Sequence, residues 1–204
     1  MLTPTKLIYL PGAGGSPGFW QPVADRLAHL GSASLLGWPG FGDVPPDPGV
    51  NGIEDLVDMV CSELDQPSAL IAQSMGGVVA VRAALRSPDR ITHLVLVATS
   101  GGVDMSGTGA EDWRVSFLES KPSYPRWFAD YRGDLSAELA KIRAPALLLW
   151  GGADAISPVA VGKRLASLLP NAAMHVVPGG DHALARERAP EVASLIAGHI
   201  TGSP

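Results

Sequence analysis

Ser68-Ala69-Leu70-Ile71-Ala72-Gln73-Ser74-Met75-Gly76-Gly77-Val78-Val79-Ala80 passes from a short apolar run into a helix-forming run with no polar loop between them. A strand that enters a helix this abruptly forces the turn residue, Ser74, into a strained backbone conformation, and its neighbours must be small for the two elements to approach. Ala72, Gly76 and Gly77 meet that need. The turn reads as a nucleophile elbow. It lifts the Ser74 hydroxyl above a sheet and leaves the next amides at a helix N-terminus, where negative charge is stabilised. The chemistry suggested is acyl transfer. The competing reading is an ordinary helix N-cap serine, and the string alone does not choose between the two.

Outward from this turn, short apolar runs alternate with longer helical patterns. Strands are expected at 6–10, 33–36, 69–72, 93–98, 146–150 and 174–177, and helices near 22–30, 53–64, 76–86, 159–169 and 187–199. The strand candidates are nearly continuous in hydrophobicity, as strands covered by helices on both faces must be. The fold class that follows is α/β: a doubly wound, mostly parallel six-stranded sheet with helices on both faces. The alternation breaks once, between Thr99 and Leu135. Trp113, Phe117, Tyr124, Trp127, Phe128 and Tyr131 lie there among Gly, Ser and charged residues. A polar stretch so rich in rings makes a poor linker, and long insertions in compact domains are commonly lids. A short cap insertion over about 101–135 is expected, with Trp113, Phe117, Trp127 and Phe128 as substrate-binding rings. The plainer alternative is that the rings only anchor an irregular excursion to the core.

The 204 residues, 46% hydrophobic and 17% charged, suffice for one sizeable core and carry no signature of disorder, so a single domain over 1–204 is expected. The net charge is −5 and the basic residues are scattered, so a nucleic-acid partner is not expected. Cys61 is the only cysteine, which excludes an internal disulfide and a cysteine-rich metal site; it reads as a small buried hydrophobe. There is no HExxH pair either, and no metal or cofactor is expected. The first apolar run, Leu7 to Leu10, is far too short for a signal peptide core or a membrane span. A cytoplasmic location without membrane association is expected. The oligomeric state is not legible.

Two later strand ends carry candidate partners for Ser74. Gly151-Gly152-Ala153-Asp154-Ala155-Ile156-Ser157-Pro158 follows the fifth strand, and Pro178-Gly179-Gly180-Asp181-His182 follows the sixth. Together with Ala72-Gln73-Ser74-Met75-Gly76, these motifs resemble the α/β-hydrolase superfamily, whose elbow is G-x-S-x-G and whose triad runs Ser, acid, His along the chain. Ala replaces the first Gly of that elbow, and Asp181 stands before the histidine where Gly is commoner. The resemblance implies Ser74, Asp154 and His182 as the catalytic triad. Asp104, and Asp181 acting locally, are the alternative acids. His29, His93, His175 and His199 read as surface or packing residues.

The first turn, Pro11-Gly12-Ala13-Gly14-Gly15-Ser16-Pro17-Gly18, also admits a dinucleotide-loop reading. That fingerprint fails at Pro17, and no acidic residue ends the second strand. Set beside the superfamily, the turn is similar to its H-G-x loop with Pro11 in place of His. The resemblance then implies that the amides of Ala13 and Met75 form an oxyanion hole. Trp38-Pro39-Gly40-Phe41-Gly42-Asp43 is similar to the family's P-G-x-G turn and equally to a plain Pro-Gly turn. What the resemblance implies is a cofactor-free serine hydrolase of small, fairly apolar carboxylic esters, acting through an acyl-serine intermediate, with a six-stranded sheet in the order 2-1-3-4-5-6. Thioester, perhydrolase and C–C hydrolase chemistry share the same machinery. A non-catalytic ligand receptor or partner-binding protein on the hydrolase shell is the rival from another class. The expected partner is a small-molecule ester or thioester.

Overall fold

In the strand β1 (Lys6–Leu10), Leu7 and Tyr9 point into one apolar cluster and Ile8 and Leu10 into another, and all four are fully buried. A strand with two dry faces needs helices on both sides, because successive side chains alternate across the sheet. The computed structural model, which describes residues 3–202, supplies them. β1 is joined by β2 (Ser32–Leu35), β3 (Ser68–Gln73), β4 (Ile91–Val97), β5 (Ala146–Gly151) and β6 (Ala172–Val177). The sheet order is β2-β1-β3-β4-β5-β6 and every adjacent pair is parallel. The expected order holds, and the sheet is wholly rather than mostly parallel. Only the edge strands β2 and β6 show solvent-facing residues along much of their length.

One face of the sheet is covered by α1 (Gln21–Leu27) and α8 (Ala189–Thr201), the other by α2 (Ile53–Ser62), α3 (Met75–Arg86) and α6 (Val159–Leu168). The helix expected over 187–199 is divided: a short α7 (Leu184–Glu187) precedes α8, with Arg188 between them. Pro190 explains the break. Its ring would meet the carbonyl four residues back in a continuous helix, whereas the first turn of a new helix tolerates it. Cys61 is partly exposed at the edge of the core rather than fully buried. Between β4 and β5 the irregular segment holds two short helices, α4 (Arg114–Ser120) and α5 (Trp127–Asp130). Among the described residues, no helix is long and apolar enough to cross a membrane.

His93 and His199 join β4 to α8 in an edge-to-face pair with ring centroids 5.3 Å apart. His93 is 4% exposed, and its Nδ1 has no partner among the described residues. Burial, aided by the neighbouring His199, lowers its pKa from 6.5 to about 4, and burial also lowers that of His199. Between those limits the unfolded chain binds the proton that the folded chain refuses, so this pair contributes stability above pH 6.5 and loses it as pH falls toward 4. In urea unfolding at pH 7 and pH 4.5, His93→Phe should show a smaller drop in midpoint on acidification than the parent chain. An equal drop in both would refute the assignment.

Candidate active site

Ser74 sits between β3 and α3 with φ 51° and ψ −120°, a region that side-chain-bearing residues rarely enter. Its backbone is fixed on both sides: the N–H donates to Val97 O at 3.1 Å, and its carbonyl accepts from Gly77 N at 2.9 Å and Thr99 Oγ1 at 2.5 Å. The glycines that follow allow close packing. A Cβ on Gly76 would lie 2.5 Å from Pro11 O and 2.6 Å from Leu10 O, and one on Gly77 would overlap Thr99. Ala72, in place of the family's first glycine, is fully buried without disturbing β3.

His182 Nε2 lies 3.0 Å from Ser74 Oγ, and His182 Nδ1 lies 2.8 Å from Asp154 Oδ2. With its Nδ1–H donated to the carboxylate, the ring turns an acceptor nitrogen toward the serine hydroxyl. Asp154 is 5% exposed, and its other oxygen accepts the N–H groups of Ile156 and Ser157, both at 2.9 Å. The acid and histidine loops are joined by backbone bonds, Gly152 N to Val177 O at 2.9 Å and Ala153 N to Gly180 O at 2.8 Å. The alternative acids lie elsewhere in hydrogen bonding. Asp181 caps the Ala183 amide at 2.7 Å, and exposed Asp104 accepts from Ser106.

Two spaces meet at Ser74. A cleft of about 630 Å³ runs past the Gly12–Gly18 loop, with Trp113, Phe117 and Phe128 on its wall; a smaller pocket of about 80 Å³ adjoins it and shares Ser74, Trp113, Phe128 and His182 with it. Trp113 stacks on Phe128 at 5.0 Å, and Phe117 meets both rings edge-on. Trp127 lines neither space. Being one residue from Phe128 on α5 it faces about 100° away, against Phe41 of the Pro-Gly turn at 5.6 Å. Ala13 borders the cleft, and Met75, the first residue of α3, borders the pocket. The amide of Met75 belongs to the first helical turn, which lacks intrahelical acceptors. Trp20 and Trp38 hold the start of the glycine loop by donating to Leu10 O at 2.9 Å and Pro11 O at 2.8 Å. Among the described residues no cluster of three or more His, Cys, Asp or Glu has metal-site geometry.

A family profile described as "Alpha/beta hydrolase family" matches residues 7–195. The chain belongs to the alpha/beta hydrolase family. It is 27% identical, over an alignment of 221 residues, to the pimeloyl-[acyl-carrier protein] methyl ester esterase of Chromobacterium violaceum, covering 87% of each chain. It is also 27% identical, over 220, to the 2-hydroxy-6-oxononadienedioate/2-hydroxy-6-oxononatrienedioate hydrolase of Cupriavidus pinatubonensis, covering 81% of this chain and 75% of that one. Among solved structures, a thermophilic esterase from Thermogutta terrifontis superposes with a TM-score of 0.81 at 22% identity, covering 98% of this chain and 91% of the other.

Several residues that shape the site of this alpha/beta hydrolase carried no sequence signal. Gln73 is 5% exposed and donates to His182 O at 3.1 Å, so the residue before the elbow serine also holds the histidine loop. Gly12 makes room for that glutamine side chain. Ile156 borders both spaces, and Arg186 is among the residues that line the cleft. Only the elbow motif, by fixing Gln73 next to Ser74, hinted at any of these.

Gly151 ties β5 to the histidine loop most closely: a Cβ there would overlap Gly180 O and lie 2.8 Å from Asp181 O. Gly151→Ala should therefore shift the loop bearing His182, lower stability by about 1–3 kcal/mol, and slow labelling of Ser74 by a fluorophosphonate. Unchanged urea midpoint and labelling rate would show that the loop yields freely.

Proposed function

We propose that this chain hydrolyses carboxylic esters through an acyl-enzyme formed on Ser74. The observation that carries the reading is the line of hydrogen bonds from Ser74 Oγ through His182 to buried Asp154, opening onto a cleft of about 630 Å³. Enclosures of roughly 300–1,000 Å³ suit small organic ligands. Its similarity to pimeloyl-[acyl-carrier protein] methyl ester esterases supports ester chemistry.

In this reading Ser74 Oγ attacks the ester carbonyl while its proton passes to His182 Nε2. Asp154 keeps the imidazole in the useful tautomer and balances the charge that develops on it. The amides of Ala13 and Met75 receive the oxyanion, the second aided by the N-terminal end of α3. His182 then returns the proton to the departing alcohol. Water repeats the sequence on the acyl-enzyme and releases the acid. The segment over about 101–135 acts as a small cap, with Trp113, Phe117 and Phe128 as the apolar wall against the acyl chain.

Ser74→Ala and His182→Ala should each lower kcat by very roughly 10⁴ to 10⁶, and Asp154→Asn by roughly 10⁴, with the fold retained by circular dichroism. A folded Ser74→Ala that keeps full esterase activity overturns the reading. Failure of the parent chain to react with a fluorophosphonate would instead favour a non-catalytic receptor on the hydrolase shell.

Acyl selectivity tests the proposed wall. Each added methylene contributes up to about 0.8 kcal/mol while it is buried, and a chain that overfills the cleft costs roughly 1 to 3 kcal/mol through distortion. Across methyl esters from acetate to palmitate, kcat/KM should rise and then fall. Trp113→Ala should move the optimum to longer chains, while Trp127→Ala, off the cleft, should leave it in place. A monotonic rise to palmitate, or an optimum moved by Trp127→Ala and not by Trp113→Ala, would reject this wall.

A further inference from the structure

Tyr131 closes α5 three residues after Phe128, whose carbonyl accepts its amide at 3.3 Å. Both residues border the small pocket at Ser74. Phe128 is also the ring on which the cleft wall is assembled, since Trp113 stacks on it at 5.0 Å and Phe117 meets it edge-on at 5.9 Å. The helix that carries Trp113's neighbours, α4, buries no residue completely, so the place of the wall depends on how α5 is held. The sheet domain holds it at the Tyr131 hydroxyl. That oxygen accepts from Arg82 Nη1 at 3.2 Å, and Gly133 leaves it space, because a Cβ there would overlap it.

Arg82 is itself fixed from behind. Glu54 of α2 accepts from its Nε at 2.6 Å and pairs with its Nη2, while the second oxygen of Glu54 takes Arg86 Nη2 at 2.6 Å. A guanidinium is a rigid planar fork, so a carboxylate on one edge aims the remaining N–H groups without further loss of freedom. Arg82 lines neither space at Ser74. It does share a face of α3 with residues that do: Met75, Val78 and Arg82 stand at i, i+3 and i+7, and the first two border the small pocket. From this we propose that Arg82 is a positioning residue for substrate selection, which grips the Tyr131 hydroxyl and thereby sets where Phe128, and the two rings packed on it, stand over Ser74. The proposal rests on the ester-hydrolase reading and deepens it, by assigning the limit on acyl length to an ion-paired arginine outside the cleft. With the grip removed, a chain that overfills the cleft meets a wall that yields instead of one that must be distorted.

The test compares methyl butyrate with methyl dodecanoate. In Arg82→Met the ratio of kcat/KM for dodecanoate to that for butyrate should rise about three- to tenfold over the parent ratio, the scale of one lost charge-assisted hydrogen bond. The rise should come from a lower KM for dodecanoate, with kcat for butyrate and the rate of fluorophosphonate labelling kept within about twofold. Tyr131→Phe, which loses only the hydroxyl, should shift the ratio by the same factor, and the two changes together no further. Hydrogen exchange at the amides of Ala129 to Tyr131 should quicken in both variants, a readout that needs no turnover. An unchanged ratio in folded Arg82→Met overturns the proposal. So does a shift in Arg82→Met that Tyr131→Phe lacks, because Arg82 then acts only by joining α3 to α2 through Glu54. An equal fall in kcat/KM for both esters with slower labelling also overturns it, because that pattern places the damage at the elbow that α3 carries. A parent chain that neither reacts with the fluorophosphonate nor turns over either ester removes the ester-hydrolase reading itself, and exchange at α5 unchanged in both variants separately refutes the grip on Tyr131.

Discussion

The whole arrangement depends on the backbone of Ser74 being held where a residue with a side chain does not readily go. A strained residue of this kind costs of order 1–3 kcal/mol and persists only when its surroundings overdetermine it. Here the surroundings do so from three directions. Val97 on β4 accepts the Ser74 amide, Thr99 and Gly77 donate to its carbonyl, and the glycines at the start of α3 let the helix rest against the end of β1. Relaxing the turn would break its bonds to the end of β4 and disturb the packing of α3 on the end of β1 at once. The strain is thereby converted into position: the hydroxyl stands at the carboxyl edge of a central strand, at the point where the order of an open parallel sheet changes direction.

The partners of Ser74 gain their precision from backbone as much as from side chains. Asp154 is oriented by two amides of its own turn, and that turn is bonded to the loop that carries His182. Gln73, one residue before the serine, reaches the His182 carbonyl and closes the circuit. A carboxylate whose oxygens are already directed by amides needs no rearrangement when an imidazole beside it becomes charged, which is the advantage of electrostatic preorganisation. The two indoles on Leu10 O and Pro11 O have a comparable effect on the opposite wall, anchoring a glycine-rich loop that has few side chains of its own with which to pack.

The elements legible in the sequence were those with strong local causes. Continuous apolar runs gave six strands buried on both faces, and the resemblance to the α/β hydrolases implied their order. The boundaries that moved had equally local causes that periodicity does not weigh, as when Pro190 divided the last helix. At the site, the elbow was legible because its turn admits few residue types. The choice among Asp104, Asp154 and Asp181 could not be made on local grounds, since it depends on which loop meets His182 in space. Trp127 and Phe128 show the limit most clearly. Adjacent and chemically alike, both rings meet Phe41 of the Pro-Gly turn, but the helical turn brings only Phe128 to the cleft. Gln73 was silent because its importance lies in the His182 carbonyl it reaches across the fold.

The two walls of the cleft are stabilised by different means, and this separates chemistry from selection. The wall bearing Ser74, Asp154 and His182 is built on the ends of strands whose interiors are almost wholly buried. The opposing aromatic wall rests on a segment whose helix α4 buries no residue completely and leaves Val115 64% exposed. That segment meets the sheet domain through Phe41 against Tyr124, Trp127 and Phe128, through Arg82 with Tyr131, and through Glu111 N with Ala155 O, among other contacts. Regions with few buried contacts open at lower free energy than the core that carries them. A change in the rings of this segment therefore reshapes the space offered to a ligand while the strained serine and its partners remain supported by the sheet. On a scaffold of this kind the reaction type is tied to the strand ends, and the identity of the substrate is tied to a segment that can vary without unfolding them.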